Sequence, residues 1–182
     1  MPRLRPGVPN AAAMTLDDAS NGYEAVAEQY IAGRGSDGTI GIRQVRDWVG
    51  TVRAGGAVLD LGCGPGYPVT QALVDAGLAV YAVGASPSMV AAMRNRFPAV
   101  HVACEPVDTS TFFGRTFDGV IAWGLVFLLR PAAQEQLIRK VAGVLAPNGR
   151  FVFTATRRRL LRALRRGARS VAHVARCARC GY

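Results

Sequence analysis

The chain has 182 residues, half of them apolar, and a formal net charge of +10. That length and apolar share fit one packed domain with short tails, and Gly, Pro or charge interrupts every apolar run before it reaches a membrane-spanning length. Residues 157–182 hold nine arginines and no acid, which leaves 13 basic against 12 acidic groups over residues 1–156, so the basicity belongs to a tail and gives no reason to read the whole protein as nucleic-acid binding.

Residues 1–18 read as a flexible extension. Arg3 and Arg5 have no apolar stretch behind them, so a secretory signal is not expected. Residues 19–156 read as the domain. Over 21–31, Tyr23, Val26, Ala27 and Tyr30 follow helical spacing, and Asp18 or Ser20 can cap the start. Gly33, Gly35 and Gly38 break the chain. Ile40, Ile42, Val45, Trp48, Val49 and Val52 then form a second amphipathic helix, ended at Gly55 and Gly56.

Strands and helices alternate from there. Strands are predicted over 57–61, 78–83, 100–104, 117–122 and 150–155, and helices over 67–76, 87–97 and 132–145. Ser86 is the N-cap of the helix that opens with Pro87, and residues 147–149 read as a turn. Apolar strands separated by helices imply a parallel sheet covered on both faces. Right-handed crossovers then favour a doubly wound, mostly parallel α/β sheet of about five strands.

The informative segment is Val58-Leu59-Asp60-Leu61-Gly62-Cys63-Gly64-Pro65-Gly66, a strand running into Gly-x-Gly-x-Gly and then a helix. Glycines there let the backbone take positive φ and approach a ligand closely, and a following helix start offers N–H groups to electron-rich atoms. The spacing is not Gly-x-Gly-x-x-Gly, which disfavours a nicotinamide dinucleotide, and the Lys of a phosphate loop is missing. Asp60 would repel a pyrophosphate and suits a cation, such as a sulfonium that carries an α-amino group.

With that segment the sequence resembles the class I S-adenosylmethionine-dependent methyltransferases. The resemblance extends to Ala85-Ser86-Pro87-Ser88-Met89-Val90, to Phe117-Asp118-Gly119-Val120-Ile121 and to Leu145-Ala146-Pro147-Asn148-Gly149-Arg150. It implies a Rossmann-like fold and S-adenosylmethionine as cofactor. Asp60, Gly62, Gly64 and Gly66 would line the cofactor's methionine part, and Cys63, the second-strand loop residues Gly84, Ala85, Ser86 and Met89, and Trp123 would be further cofactor-binding residues. Glu105 would stand near the adenine amine, or be a solvated loop carboxylate. Trp123 and Gly124 would open on the acceptor, or Trp123 would be core. Tyr23 and Tyr30 would sit on a lid helix, or simply pack.

Two departures stand out. The resemblance calls for an acid at the end of the second strand, about 20 residues past the loop, to accept the ribose hydroxyls. Gly84 stands there instead. A hydrogen bond to a charged group contributes about 1.5–3 kcal/mol, so Gly84→Asp is expected to tighten cofactor binding. After Thr156, where the resemblance implies a further helix and two strands, the chain becomes an Arg-rich run without strand period, which reads as a truncated or frame-shifted terminus. The alternative is a basic amphipathic helix (Leu160, Leu161, Leu164, Val171, Val174) that contacts nucleic acid or an anionic membrane.

The expected activity is methyl transfer to a small-molecule acceptor. The sequence Ala122-Trp123-Gly124-Leu125 differs from the Asn-Pro-Pro-Tyr loops that go with nucleobase nitrogens. Alignment of donor and acceptor carries such a reaction and a general base is optional, so no catalytic residue is assigned; the histidines are His101 and His173. The alternatives are a cofactor-binding remnant without catalysis and an RNA-associated methyltransferase that uses the tail. Among four cysteines, Cys177 and Cys180 form one C-x-x-C without a second pair. Reduced thiols, no metal and a cytoplasmic location are therefore expected, with oligomeric state open.

Overall fold

The computed structural model describes residues 18–33, 41–155 and 172–174. A 3-10 turn at Glu24–Val26 leads into α1 (Ala27–Gly33). Both expected caps are used here. Asp18 accepts the Ser20 and Gly22 N–H groups, each at 2.8 Å, and Ser20 Oγ accepts the Glu24 N–H at 2.9 Å. After α2 (Ile42–Val49), strand and helix alternate through β1 (Ala57–Leu61), α3 (Val69–Asp75), β2 (Ala79–Gly84), α4 (Pro87–Arg96), β3 (His101–Cys104), β4 (Phe117–Ala122), α5 (Pro131–Val144) and β5 (Leu145–Phe153). A short β6 (Ala172–Val174) completes the sheet.

All neighbouring strands are parallel, in the order β3-β2-β1-β4-β5-β6. The order reverses between β1 and β4. Parallel strands are buried on both faces, and β1 is buried at every residue. On one face Leu59, Leu61, Val120, Ala122, Phe151 and Phe153 pack against Leu137, Ile138 and Val141 of α5. On the other, Val58, Val80, Ile121 and Val152 meet Val45 and Trp48 of α2 and Leu73 of α3. Ala82 on that same face meets Met93 and Phe97 at the end of α4. The doubly wound parallel architecture is as expected.

Three details differ from the expectation. The turn at 147–149 lies inside β5: Phe117 pairs with Leu145 but Gly119 with Arg150, so the extra residues form a bulge with Asn148 at φ 64°. Helix α3 begins at Val69, after Pro68, which has no N–H to donate. The expected five strands are joined by β6, whose Ala172 pairs with Phe151 and Val174 with Phe153. The edge of β5 is therefore paired, and Val174, placed above on a helical face, is in a strand. Ile40, the remaining tail residues that define the amphipathic helix, and Cys177 and Cys180 lie outside the described residues. Among the described residues no helix is long and apolar enough to cross a membrane.

Gly119 shows how closely α2 approaches the sheet. A Cβ there would lie 2.8 Å from Trp48 Cζ2. Gly119→Ala is expected to lower stability in urea by about 1–3 kcal/mol through overpacking. Gly143→Ala, at an exposed position of α5 with open space around it, is expected to raise it by about 0.4–1 kcal/mol.

Candidate active site at the carboxyl end of β1

The site residues converge where the strand order reverses, the place at which open α/β sheets bind ligands. Gly62, Gly64 and Gly66 all lie in the left-handed region, at φ 73°, 53° and 82°. The loop bends over the end of β2, and the Gly62 and Cys63 N–H groups both donate to Val83 O, at 2.8 and 3.1 Å. Each glycine answers to a different neighbour. A Cβ on Gly62 would press on Leu125 Cβ at 3.2 Å, and one on Gly66 would strike Phe97 Cε2 at 2.6 Å. One on Gly64 would project into the space bordered by Met89 Sδ at 3.8 Å and Tyr30 Cε1 at 4.0 Å. Gly64 is thus the glycine that leaves room rather than meeting a close neighbour. The helix-start N–H groups expected to serve a ligand are engaged internally in part: Gln71 N–H donates to Gly66 O at 3.1 Å.

Asp60 is 1% exposed. It sits on the central strand, in register with Ala82 on one side and Ile121 on the other. Thr70 Oγ1, from α3, donates to its Oδ2 at 2.6 Å. Burial pushes its carboxyl up to about 6, against the hydrogen bond from Thr70. A desolvated carboxylate is a strong point of attraction for a cation brought into the same low-dielectric space. The Cys63 thiol beside it is buried and held well above the usual thiol range, first by burial and then by the charge of Asp60.

The β2 side of the site is built around the start of α4. Gly84 is buried, and a Cβ there would lie 3.0 Å from Cys63 Sγ and 3.2 Å from Val90 Cγ2. Its carbonyl accepts the Glu105 N–H at 2.9 Å, which joins the end of β3 to the end of β2. Ala85 is half-buried, Met89 is buried, and Ser86 caps α4 by accepting the Met89 N–H at 3.3 Å. Trp123 ends up elsewhere in character. It follows β4 and packs with the α2-side core, its ring filling the space over Gly41, where a Cβ would be 2.0 Å from Cζ2. That contact matches the core alternative for this residue. Gly124 N–H donates to Thr154 Oγ1 at 2.7 Å, which ties the end of β4 to β5. His101 opens β3 at the far end of the sheet, with its ring stacked on Tyr81 at 4.8 Å.

Three contributors escaped the sequence reading: Thr70, Leu125 and Glu24. Glu24 Oε2 accepts from Ser86 Oγ at 2.5 Å and from the Ser88 N–H at 3.2 Å, and Oε1 accepts from Ser88 Oγ at 2.5 Å. The hydroxyls of Ser86 and Ser88 hold its carboxyl below the usual range. The one available signal was an acid beside Tyr23 on the expected lid segment. Among the described residues no group of three His, Cys, Asp or Glu side chains could hold a metal.

Residues 58–149 match the methyltransferase domain family, and the chain belongs to it, as the class I S-adenosylmethionine-dependent resemblance implied. A comparison with curated protein sequences finds no match. Among solved structures it is similar to the CcbJ methyltransferase from Streptomyces caelestis, at 25% identity and TM-score 0.64 over 75% of this chain and 57% of that one. It is also similar to S-adenosylmethionine-bound CalS10, an amino pentose methyltransferase from Micromonospora echinaspora, at 27% identity and TM-score 0.56 over 68% and 53%. A TehB-like methyltransferase from Corynebacterium glutamicum shares the fold at 21% identity and TM-score 0.59, over 74% of this chain and 72% of that one. The chain thus spans little more than half the length of CcbJ and CalS10.

The Asp60 carboxyl makes a prediction about stability. Its folded value, about 6, lies above the ordinary 3.8, so the native state holds the proton more tightly than the unfolded chain. The resulting stabilisation is complete below 3.8 and is lost as pH rises through about 6. The loss is on the order of 3 kcal/mol. The melting temperature of Asp60→Asn minus that of the wild type should therefore widen between about pH 4 and pH 7. A constant difference over that range would contradict the assigned environment.

Proposed function

We infer that this domain binds S-adenosylmethionine against Asp60, the Gly62–Gly66 loop and the 84–89 turn, and passes its methyl group to a small-molecule acceptor. The observation that carries the reading is the buried Asp60 carboxylate beside three left-handed glycines at the strand-order reversal. An anion so desolvated favours a ligand with a fixed positive charge, and a backbone so open at Gly64 accommodates one at close range. The bound cofactor supplies a methyl carbon already activated by its sulfonium. Asp60 attracts the amino-acid ammonium, and the loop fixes the sulfonium in place. Tyr30 borders the open side of Gly64. Orientation of this kind can lower a barrier by several kcal/mol, up to roughly 7–11, and His101 stands too far along β3 to act as a base.

A small-molecule acceptor is supported by the likeness to CalS10, an amino pentose methyltransferase, and by the open space around Gly124. A cytoplasmic location is supported by the free thiols of Cys63 and Cys104. Calorimetry with S-adenosylhomocysteine tests the core of the reading. Affinity should rise with pH through about 6 as Asp60 ionises. Asp60→Asn should weaken binding about tenfold to a hundredfold and remove the pH step. No uptake at any pH would end the assignment, and uptake without methyl transfer to any acceptor would reduce the protein to a cofactor-binding remnant.

A further inference from the structure

We propose that Glu24 supplies, from the N-terminal segment, the ribose-binding carboxylate that the end of β2 lacks. The proposal rests on the cofactor reading above. A nucleoside at the carboxyl end of β2 presents a diol that calls for an anionic acceptor, and Gly84 has no side chain to offer. The space a side chain would use at Gly84 is bordered closely by Cys63 Sγ and Val90 Cγ2. Two residues further on, Ser86 Oγ, in a residue 5% exposed, donates to Glu24 Oε2. Ser88 holds both carboxylate oxygens, one through its N–H and the other through its hydroxyl. The acid is therefore fixed at the first turn of α4, beside the strand end where the ribose acceptor belongs, although it comes from 60 positions before Gly84 in the chain.

The geometry also limits what Glu24 can do. An ionised carboxylate has about four acceptor positions, and the Ser86 and Ser88 donors occupy three of them. The remaining position, on Oε1, accepts one ribose hydroxyl rather than the pair. The hydrogen bonds from Ser86 and Ser88 keep the group ionised and ready for it. The segment that carries Glu24 also places Tyr30 next to Gly64, with Tyr23 edge-on to Tyr30 at 5.6 Å. Ribose recognition and coverage of the glycine loop thus belong to one piece of chain. This reframes Gly84→Asp: with Glu24 present it brings a second carboxylate to the same diol, and like charges there oppose each other.

Titration calorimetry on the full chain with S-adenosylhomocysteine and with its 2′,3′-dideoxy analogue tests the proposal. The wild type should bind the analogue about tenfold more weakly. Glu24→Gln should lose a similar factor for S-adenosylhomocysteine and nothing for the analogue. Equal losses of Glu24→Gln for both ligands would show that Glu24 only caps α4, and no loss for either would remove it from the site; each overturns the proposal. A wild type that takes up neither ligand overturns the cofactor reading itself, and the proposal falls with it.

Discussion

A carboxylate buried in the middle of a parallel sheet is the constraint around which the site is arranged. Asp60 lies on β1, walled by β2 and β4, and water does not reach it. An ion in such a place is unfavourable unless something nearby favours the charge. Thr70 offers one hydroxyl, and the carboxyl still sits near 6. Burial therefore disfavours the charged form of this carboxyl more than the Thr70 hydroxyl favours it. The surrounding strands can bear the local cost because β1 is apolar and buried at its other four positions.

The glycine loop follows β1 directly and is held by its own packing. Two of its glycines are used for packing: Gly62 admits Leu125, and Gly66 admits Phe97 from the end of α4. Both contacts fix the loop from opposite directions, and Gly64 is left facing a space bordered by Met89 and Tyr30 at ordinary contact distance. The glycine pattern therefore combines rigidity with room. A loop with room at all three positions would lack the packing that holds its N–H groups on Val83 O.

What was legible in the sequence follows from how local each feature is. The first four strands, the α3–α5 helices, the N-cap Ser86 and the Asp60 to Gly66 motif are determined by neighbours within a few residues, and they appear within a residue or two of where periodicity places them, whereas β5 begins five residues before its expected start. Features made by distant partners were not legible. Thr70 faces Asp60 only because α3 folds back along β1. Leu125 meets Gly62 only because β4 lies next to β1 in the sheet. The bulge in β5 reads as a plain turn in sequence, since Pro147-Asn148-Gly149 has the same residues in either role. β6 had no strand period to betray it, because three residues at a sheet edge can pair through the backbone alone.

The N-terminal segment sits at the boundary between these two kinds of information. Its helical spacing is visible, but Ala27 is the only buried residue of the 3-10 turn and α1, so apolar burial does little to hold it down. Its attachment to α4 is largely polar, through the Glu24 carboxylate on Ser86 and Ser88. Polar clamps on a thinly packed segment open at lower free energy than core contacts do. The piece of chain that covers Gly64 is therefore the least anchored part of the site, while Asp60, the part that must stay in place, is the most deeply anchored. The fold thus sets a deeply buried acid on β1 near a thinly packed segment that is held by hydrogen bonds at the start of α4.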